Sequence, residues 1–220
     1  MPLINHLKDG CMKYLSDLMD TYIERGNAII KGNHLDSPDV MPVRNKLKVL
    51  ECMKRITPVA ILLGQDPYPQ FGVATGVAFA NKEFFGMSPS LQVIEDSVMK
   101  SGESGEFDPT LEFWIEQGII PINVFWTVEL GKPLSHAGLW ITFTKGLLRD
   151  LSVECPGMFY MAFGAMAFKF CDSLINPGKV LYEYHPSYYA RTKTAMPPRI
   201  WNVMKDFVWE NFETKLKLTK

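Results

Sequence analysis

The chain has 220 residues, of which 47% are apolar and 21% are charged, and its net charge at pH 7 is −1. This length and composition are typical of a globular protein with a full core, and we predict a single domain over residues 1–220. The near-neutral charge excludes a surface that is basic throughout, but it leaves room for a local basic groove.

The cysteine pattern and the absence of targeting signals limit the class of protein further. Four cysteines lie far apart without a C-x-x-C pair, which predicts reduced thiols in an intracellular, soluble protein. We find no signal peptide and no apolar run of about 20 residues, so no membrane association is expected. Neither metal-ligand spacing nor a glycine-rich nucleotide motif occurs, and we therefore expect no metal and no cofactor.

The N-terminal part is predicted to be helical. Apolar residues recur at helical spacing through residues 2–32, which indicates one or two amphipathic helices that end at Gly32-Asn33. A proline-containing loop over 33–42 precedes a predicted helix from Val43 to Arg55. Residues 1–40 carry no motif that indicates a function.

A carboxylate follows the first predicted strand. Val59–Leu63 is a short apolar run that predicts a buried strand, and the next residues read Gly64-Gln65-Asp66-Pro67-Tyr68-Pro69. Asp66 is therefore expected just beyond the carboxyl end of a strand, in a turn stiffened by two prolines. Taken alone, this pattern also fits a simple turn in which the aspartate is a local cap.

Strands and helices alternate over the rest of the chain. We predict a short strand at Val77–Ala80, a helix at Pro89–Lys100 with Ser88 as its N-cap, and a short helix at Thr110–Gln117. The remaining elements are a strand at Ile119–Asn123, where Pro121 suggests an edge position, a helix at Thr142–Val153, a strand at Met158–Phe163, a helix at Ala165–Leu174, a turn at Pro177-Gly178, a strand at Lys179–Tyr184 and a helix within Pro197–Leu216.

This alternation predicts an α/β fold with a central, mostly parallel four-stranded sheet flanked by helices. Ligands of such sheets bind beyond the carboxyl ends of the strands. Asp66, Asn123 and His185 each stand at or just after the end of a predicted strand. An acid, an amide and an imidazole are thus expected at one rim, where they form a candidate site.

Six motifs occur in order over roughly residues 40–210: Gly64-Gln65-Asp66-Pro67-Tyr68, Gly76-Val77-Ala78-Phe79, Ser88-Pro89-Ser90-Leu91, Gln117 to Asn123 with Thr127-Val128 and Ser135-His136 behind it, Phe163-Gly164, and His185-Pro186-Ser187. In sequence and spacing they resemble the family 1 uracil-DNA glycosylases. The resemblance implies the three-layer fold of that family. It also implies an enzyme that flips uracil out of single- or double-stranded DNA and hydrolyses its N-glycosidic bond, leaving an abasic site for base excision repair.

The resemblance implies two catalytic residues. Asp66 would orient a water molecule and stabilise the positive charge that develops on the sugar in an oxocarbenium-like transition state. His185 would donate a hydrogen bond to uracil O2 as the base departs with negative charge, and a neutral imidazole can do so.

The same resemblance implies four uracil-binding residues. The carboxamide of Asn123 offers one donor and one acceptor, which match uracil O4 and N3–H. Tyr68 would occupy the space beside C5 and exclude the methyl group of thymine. Phe79 would stack on the base, and Gln65 would contribute a backbone N–H near O2.

Residues for DNA binding follow from the serine-containing motifs and from a basic, aromatic segment after His185. Two positions depart from the family pattern. Tyr189 stands where the family has an intercalating leucine, and Pro69 stands where most members have histidine. The candidate DNA-binding residues are Ser88, Pro89, Ser90, Ser187, Tyr188, Tyr189, Arg191 and Lys193.

The implied partner is uracil-containing DNA, and a protein inhibitor that mimics DNA or a replication protein is a further candidate; a monomer is expected. Three other functions remain open from the sequence. They are a DNA-binding replication accessory or processivity protein that keeps the fold, a hydrolase of free nucleosides, and a sensor that binds uracil without cleaving.

Overall fold

The structure, a computed structural model, describes residues 2–81, 86–172 and 179–220, with side chains from Tyr14 onward. Its elements alternate between helix and strand, as the sequence predicts. In chain order they are α1 (Pro2–Gly32), β1 (Val40–Met41), α2 (Lys48–Met53), β2 (Ala60–Gly64), α3 (Pro89–Lys100), α4 (Glu112–Glu116), β3 (Ile119–Asn123), β4 (Val128–Glu129), α5 (Ala137–Glu154), β5 (Phe159–Phe163), α6 (Ala165–Asp172), β6 (Val180–Glu183), α7 (Pro186–Thr192) and α8 (Arg199–Phe212).

The main sheet has four parallel strands in the order β3-β2-β5-β6, flanked by helices. The α/β class with a four-stranded parallel sheet is therefore confirmed. The central strands β2 and β5 are buried along their whole length, as expected for apolar strands of a parallel sheet that is covered on both faces. Strand β3 lies at an edge, where Pro121 removes no hydrogen bond that a neighbour would need.

The core is rich in tryptophan. Trp114, Trp140 and Trp201 have no exposed surface. Their indole N–H groups donate to the carbonyl of Leu218 and to the hydroxyls of Thr127 and Ser97, at 3.0, 2.8 and 2.9 Å. The core is thus held by apolar packing in which these buried donors are satisfied.

Helix boundaries agree best where the sequence carries a strong start signal. Helix α3 spans the predicted residues, and the Ser88 hydroxyl accepts from the Leu91 N–H as the predicted cap. Helix α1 is a single helix over the predicted range. Helix α5 begins five residues before the predicted Thr142, and α8 ends at Phe212 because Glu213 takes a left-handed conformation.

Some predicted elements differ from the structure. Val77–Ala80 forms bends instead of a strand, since Gly76 and Phe79 have φ values of 88° and 65° that break an extended backbone. Helix α2 is shorter than predicted because Asn45, at φ 55°, interrupts the segment before it. The end of the helix predicted to Leu174 and the predicted turn at Pro177-Gly178 lie outside the described residues.

The sequence analysis also missed two elements. A two-stranded antiparallel ribbon pairs β1 with β4, and α7 follows His185 directly. Within the described residues, no helix combines the length and the hydropathy that a membrane crossing requires.

Candidate functional site

A cavity of about 650 Å³ opens at the carboxyl ends of the parallel strands. Asp66 lies just beyond β2, Asn123 ends β3, Gly164 follows β5 and His185 lies just beyond β6. All four line this cavity. The structure thus brings the predicted acid, amide and imidazole to one place at the edge of the sheet where ligands of α/β proteins bind.

The carboxylate of Asp66 is held from two sides. Its Oδ2 accepts the backbone N–H of Leu134 at 2.7 Å, and its Oδ1 accepts from Nε2 of Gln65 at 3.1 Å. Burial raises the pKa of Asp66 above its ordinary value, and the two hydrogen bonds oppose that rise only in part. The group is therefore a fixed carboxylate in a poorly solvated position.

The imidazole of His185 has a defined tautomer. Nδ1 accepts the backbone N–H of Ser187 at 3.2 Å and lies 2.9 Å from the Ser187 hydroxyl. Because a backbone amide can only donate, Nδ1 is unprotonated and the proton of the neutral ring resides on Nε2. Burial, together with the nearby charge of Arg191, lowers the pKa of His185 to about 4. The ring is therefore a neutral N–H donor at physiological pH.

Asn123 has a carboxamide that hydrogen-bonds to none of the described residues, although it lines the cavity. Its position depends on Gly64. A Cβ on Gly64 would lie 2.6 Å from Asn123 Oδ1 and 2.9 Å from Phe79 Cζ. Gly64 is thus a site residue to which the sequence analysis gave no role, although it is the first residue of the motif that contains Asp66.

Phe79 forms an aromatic wall of the cavity. Its ring centroid is 5.7 Å from that of His185 and 5.3 Å from that of Phe163. Its φ of 65° is unusual for a bulky residue, and strain of this kind persists only where the surroundings impose it. A hydrogen bond of 2.9 Å from the Tyr68 hydroxyl to the Phe79 carbonyl holds this backbone in place.

Tyr68 is fixed by a chain of hydrogen bonds. While donating to Phe79, its hydroxyl accepts from the Ser88 hydroxyl at 2.7 Å, and Ser88 in turn caps α3. Burial raises the pKa of Tyr68 to about 12. Tyr68 is therefore a neutral, immobile side chain, and the Ser88 hydroxyl is engaged within the protein.

Apart from Tyr189, the predicted DNA-binding residues fall into three groups. Ser90, Ser187 and Arg191 line the main cavity. Ser88 and Pro89 line an adjacent cavity of about 550 Å³, together with Ser187 and Arg191. Tyr188 and Lys193 are exposed near the end of α7.

Two further cations line the main cavity. Lys46 is buried, and its ammonium donates to the carbonyls of Pro42 and Val43 at 2.7 and 3.2 Å. Burial lowers the pKa of Lys46. Lys169, on α6, is exposed at the cavity. Neither residue belongs to a sequence motif, which is why the sequence analysis passed over both.

Tyr189 differs from the expectation. Only 7% of its surface is exposed, and its hydroxyl donates a short hydrogen bond to the carboxylate of Glu183. A ring held in this way is not presented to a duplex. Tyr188, at 39% exposure, is the aromatic residue of α7 that reaches the surface.

The described part of the chain contains no group of three or more His, Cys, Asp or Glu residues that could hold a metal ion. His136 is instead buried, with Nδ1 3.0 Å from the Thr127 hydroxyl. The same hydroxyl accepts from the Trp140 indole N–H at 2.8 Å. His136 does not line the cavity.

Comparisons with known proteins agree with this geometry. No family model matches the sequence. Uracil-DNA glycosylase 1 of Listeria innocua is 31% identical over 163 residues, which cover 71% of this chain and 72% of that protein. The uracil-DNA glycosylase of Equine herpesvirus 1 is 34% identical over 162 residues, 65% of this chain. That match covers 52% of the viral protein, so this chain spans about half the length of that relative.

Solved structures of mimivirus proteins have the same fold. The mimivirus uracil-DNA glycosylase superposes with a TM-score of 0.76 at 20% identity, over 94% of this chain and 88% of that chain. A variant of the mimivirus protein in complex with UGI gives a TM-score of 0.62 at 26% identity, over 67% of this chain and 58% of that chain. The three-layer architecture predicted from the sequence is that of these structures.

Proposed function

Since this chain belongs to the uracil-DNA glycosylase family, we propose that it removes uracil from DNA by hydrolysing the N-glycosidic bond. The observation that supports this proposal most directly is the convergence of Asp66, Asn123 and His185 on one cavity. A base in a duplex stack is inaccessible, so the uracil nucleotide must first be extruded into this cavity, at a cost of about a few kcal/mol. The product is free uracil and an abasic site.

Recognition of uracil rests on the unpaired carboxamide of Asn123. Its N–H donates to uracil O4 and its carbonyl accepts from N3–H. Cytosine carries the opposite pattern at these positions, so the same amide would be left unpaired against it. Phe79 stacks on the base, the backbone N–H of Gln65 contributes near O2, and the immobile Tyr68 excludes a methyl group at C5.

Cleavage breaks the bond between C1′ and N1, and the electron pair leaves with uracil. His185 donates its Nε2–H to uracil O2, where the negative charge accumulates, and this neutral donor needs no change of protonation state. Asp66 stabilises the cationic sugar and orients a water molecule. The oxygen of the water forms the new bond to C1′, and Asp66 takes up the released proton.

The DNA strand is held by hydroxyl, amide and cationic groups around the cavity. Ser90, Ser187 and Arg191 lie at the cavity itself, and Pro89 and Lys193 lie further out. We further propose that the protein acts as a monomer and that a DNA-mimicking inhibitor such as UGI would compete for this surface, since UGI forms a complex with a mimivirus relative.

The test is release of free base from oligonucleotides that carry uracil, thymine or cytosine at one position. The wild-type protein is expected to release uracil alone. Asn123→Asp should begin to release cytosine and Tyr68→Ala should begin to release thymine, because each removes one element of discrimination.

Asp66→Asn is the control for adventitious glycosylase in this assay. Binding of uracil-containing DNA without any abasic product in the wild type would contradict hydrolysis and favour a uracil sensor or an accessory protein. Cleavage of uridine at the same rate as uracil in DNA would contradict a DNA substrate.

A further inference from the structure

Four aromatic side chains form a continuous strip beside the cavity. The aromatic strip comprises Phe168, Tyr182, Tyr184 and Tyr188. Successive ring centroids are 5.3, 5.9 and 4.7 Å apart, and the rings of Tyr184 and Tyr188 stack at an interplanar angle of 24°. Three neighbouring elements, α6, β6 and α7, therefore contribute to one aromatic surface.

The strip follows from the local backbone. Strand β6 is an edge of the sheet, and residues two apart on an extended chain face the same side, so Tyr182 and Tyr184 lie together. Glu183, between them, is engaged by the Tyr189 hydroxyl and the Tyr184 backbone N–H. The three tyrosines are 39–52% exposed, so this surface is partly uncovered.

Large apolar rings at the surface of a protein indicate a binding surface when they are contiguous. Here the strip lies beside the cavity at the level of the chain, since residues next to three of its four members line the cavity. Lys169 and His185, the sequence neighbours of Phe168 and Tyr184, both line the cavity. A DNA strand that places one nucleotide in the cavity would therefore pass next to the strip.

Three cations lie in the helices that carry strip residues or at the end of one, while Glu183, the carboxylate between two strip tyrosines, is engaged by Tyr189. Lys169 and Arg191 lie at the cavity and Lys193 is exposed at the end of α7. Among the described residues, no carboxylate lies within 4.0 Å of any of the three cations. These cations are available for phosphates, and aromatic rings interleaved with cations are typical of surfaces that bind single-stranded nucleic acid.

We propose that the aromatic strip binds the unpaired bases that flank the extruded uracil in single-stranded DNA, by stacking them on Tyr182, Tyr184 and Tyr188, with Lys169, Arg191 and Lys193 near the phosphates. This inference rests on the proposed function, which supplies the strand. Stacking requires exposed base faces, and in a duplex these are covered by neighbouring pairs. The strip therefore acts on single strands or on the unpaired region around a flipped base.

The experiment measures the affinity for a single-stranded 15-nucleotide oligothymidine, which contains no cleavable base, by fluorescence anisotropy at fixed salt. The double variant Tyr184→Ala/Tyr188→Ala is expected to bind at least about tenfold more weakly, since one stacked base contributes enough affinity for that change. The double variant with phenylalanine at both positions keeps the ring faces and is expected to bind like the wild type.

Tyr14→Ala is the matched control, because Tyr14 is an exposed tyrosine on α1; its affinity should not change. Loss of the rings should leave the dependence of binding on salt unchanged, whereas Lys169→Ala should reduce that slope, because only the lysine neutralises a phosphate. Thermal unfolding of each variant confirms that it is folded, and Tyr182→Ala gives an independent single change.

Two outcomes separate this inference from the proposed function. If the wild type releases no uracil but the alanine variants lose oligothymidine affinity, the proposed function fails and the binding surface stands. If uracil is released normally and the folded alanine variants bind oligothymidine like the wild type, the strip does not bind DNA. That second result overturns the inference, whether or not the surface binds a protein.

Discussion

The cavity and the part of the core around the buried tryptophans differ in whether their polar groups have hydrogen-bond partners. In the core, the indole N–H groups of Trp114, Trp140 and Trp201 all have partners. At the cavity, the carboxamide of Asn123 has none among the described residues, and Asp66 carries a raised pKa. Satisfied groups stabilise the fold, whereas the unpaired carboxamide of Asn123, which lines the cavity, is available for a ligand.

Two residues near the cavity have a left-handed backbone conformation. Near the cavity, Phe79 and Leu134 adopt φ values of 65° and 64°, which cost an L-residue roughly 1–2 kcal/mol. Both positions hold other site groups: the Phe79 carbonyl anchors Tyr68, and the Leu134 N–H holds Asp66. The strain at the cavity therefore accompanies the placement of reactive groups.

The largest expected effect is that of Asp66→Asn, which separates activity from stability. Uracil release should fall about 10³-fold, because a preorganised charge at the transition state is lost. The melting temperature at pH 7 should rise, because the folded state disfavours the ionised form of Asp66 and asparagine carries no charge. Single-turnover assays and thermal melts measure the two effects.

The size of the stability change depends on pH. A raised pKa means that the carboxyl group favours folding when protonated, and that this contribution is lost as the pH rises through the folded-state pKa. The gain from Asp66→Asn should therefore disappear well below pH 3.8, the ordinary pKa of an aspartate. A variant that is less stable than the wild type at pH 7 would contradict the account of Asp66 as a destabilising group.

Gly64→Ala tests the geometry of the base pocket. The added Cβ would meet Asn123 and Phe79 at 2.6 and 2.9 Å, so at least one of them must move. A displacement near 1 Å can lower the rate about 10²-fold, and we expect a loss of that order in kcat/KM for uracil release.

Gly138→Ala provides the control for this change, since a Cβ at Gly138 meets no atom within 4 Å. Its activity should equal that of the wild type. If both alanine variants retain full activity, the close packing of Gly64 against Asn123 is not needed for recognition.

The pH profile of uracil release tests whether catalysis needs the ionised form of Asp66, and the expected effect is smaller than that of the substitutions above. Because burial raises the pKa of Asp66, kcat/KM should fall as the pH decreases, with a midpoint above 3.8 and about tenfold for each pH unit below it. The neutral form of His185 persists down to its pKa of about 4. An acidic limb that is equally present in Asp66→Asn would assign it to another group.

Trp201→Phe tests how much a buried tryptophan contributes to stability. Among these changes it should have the smallest effect on activity. The change leaves the buried hydroxyl of Ser97 without its donor and opens a small void, which costs about 1–3 kcal/mol of unfolding free energy. Urea unfolding measures this loss.

Trp209→Phe, at a 56% exposed position on α8, should change stability by less than about 0.5 kcal/mol. The uracil selectivity of both tryptophan variants should match that of the wild type. Altered selectivity in Trp201→Phe would show that the core and the cavity are not independent.

Much of the architecture could be predicted because it is encoded locally. The apolar runs of β2 and β5 and the start of α3 at Ser88-Pro89 are signals within a few residues. The candidate site followed from one topological rule, since polar residues at the ends of parallel strands share a rim.

The rest depends on contacts between distant parts of the chain. The hydrogen bond that holds Asp66 comes from Leu134, 68 positions away. The burial of Tyr189 depends on Glu183 of the edge strand, and the left-handed backbone of Phe79 is held by Tyr68. Propensity favours a strand at Val77–Ala80, but the tertiary structure imposes a different conformation there.

The most direct test of the account is the crystal structure of this protein with free uracil and an oligonucleotide that contains an abasic site. We predict that uracil lies against the ring of Phe79, with Asn123 and His185 both within hydrogen-bonding distance of its edges and Asp66 facing the abasic sugar. Uracil bound outside this cavity, or bound in it without contact to Asn123, would contradict the central claim.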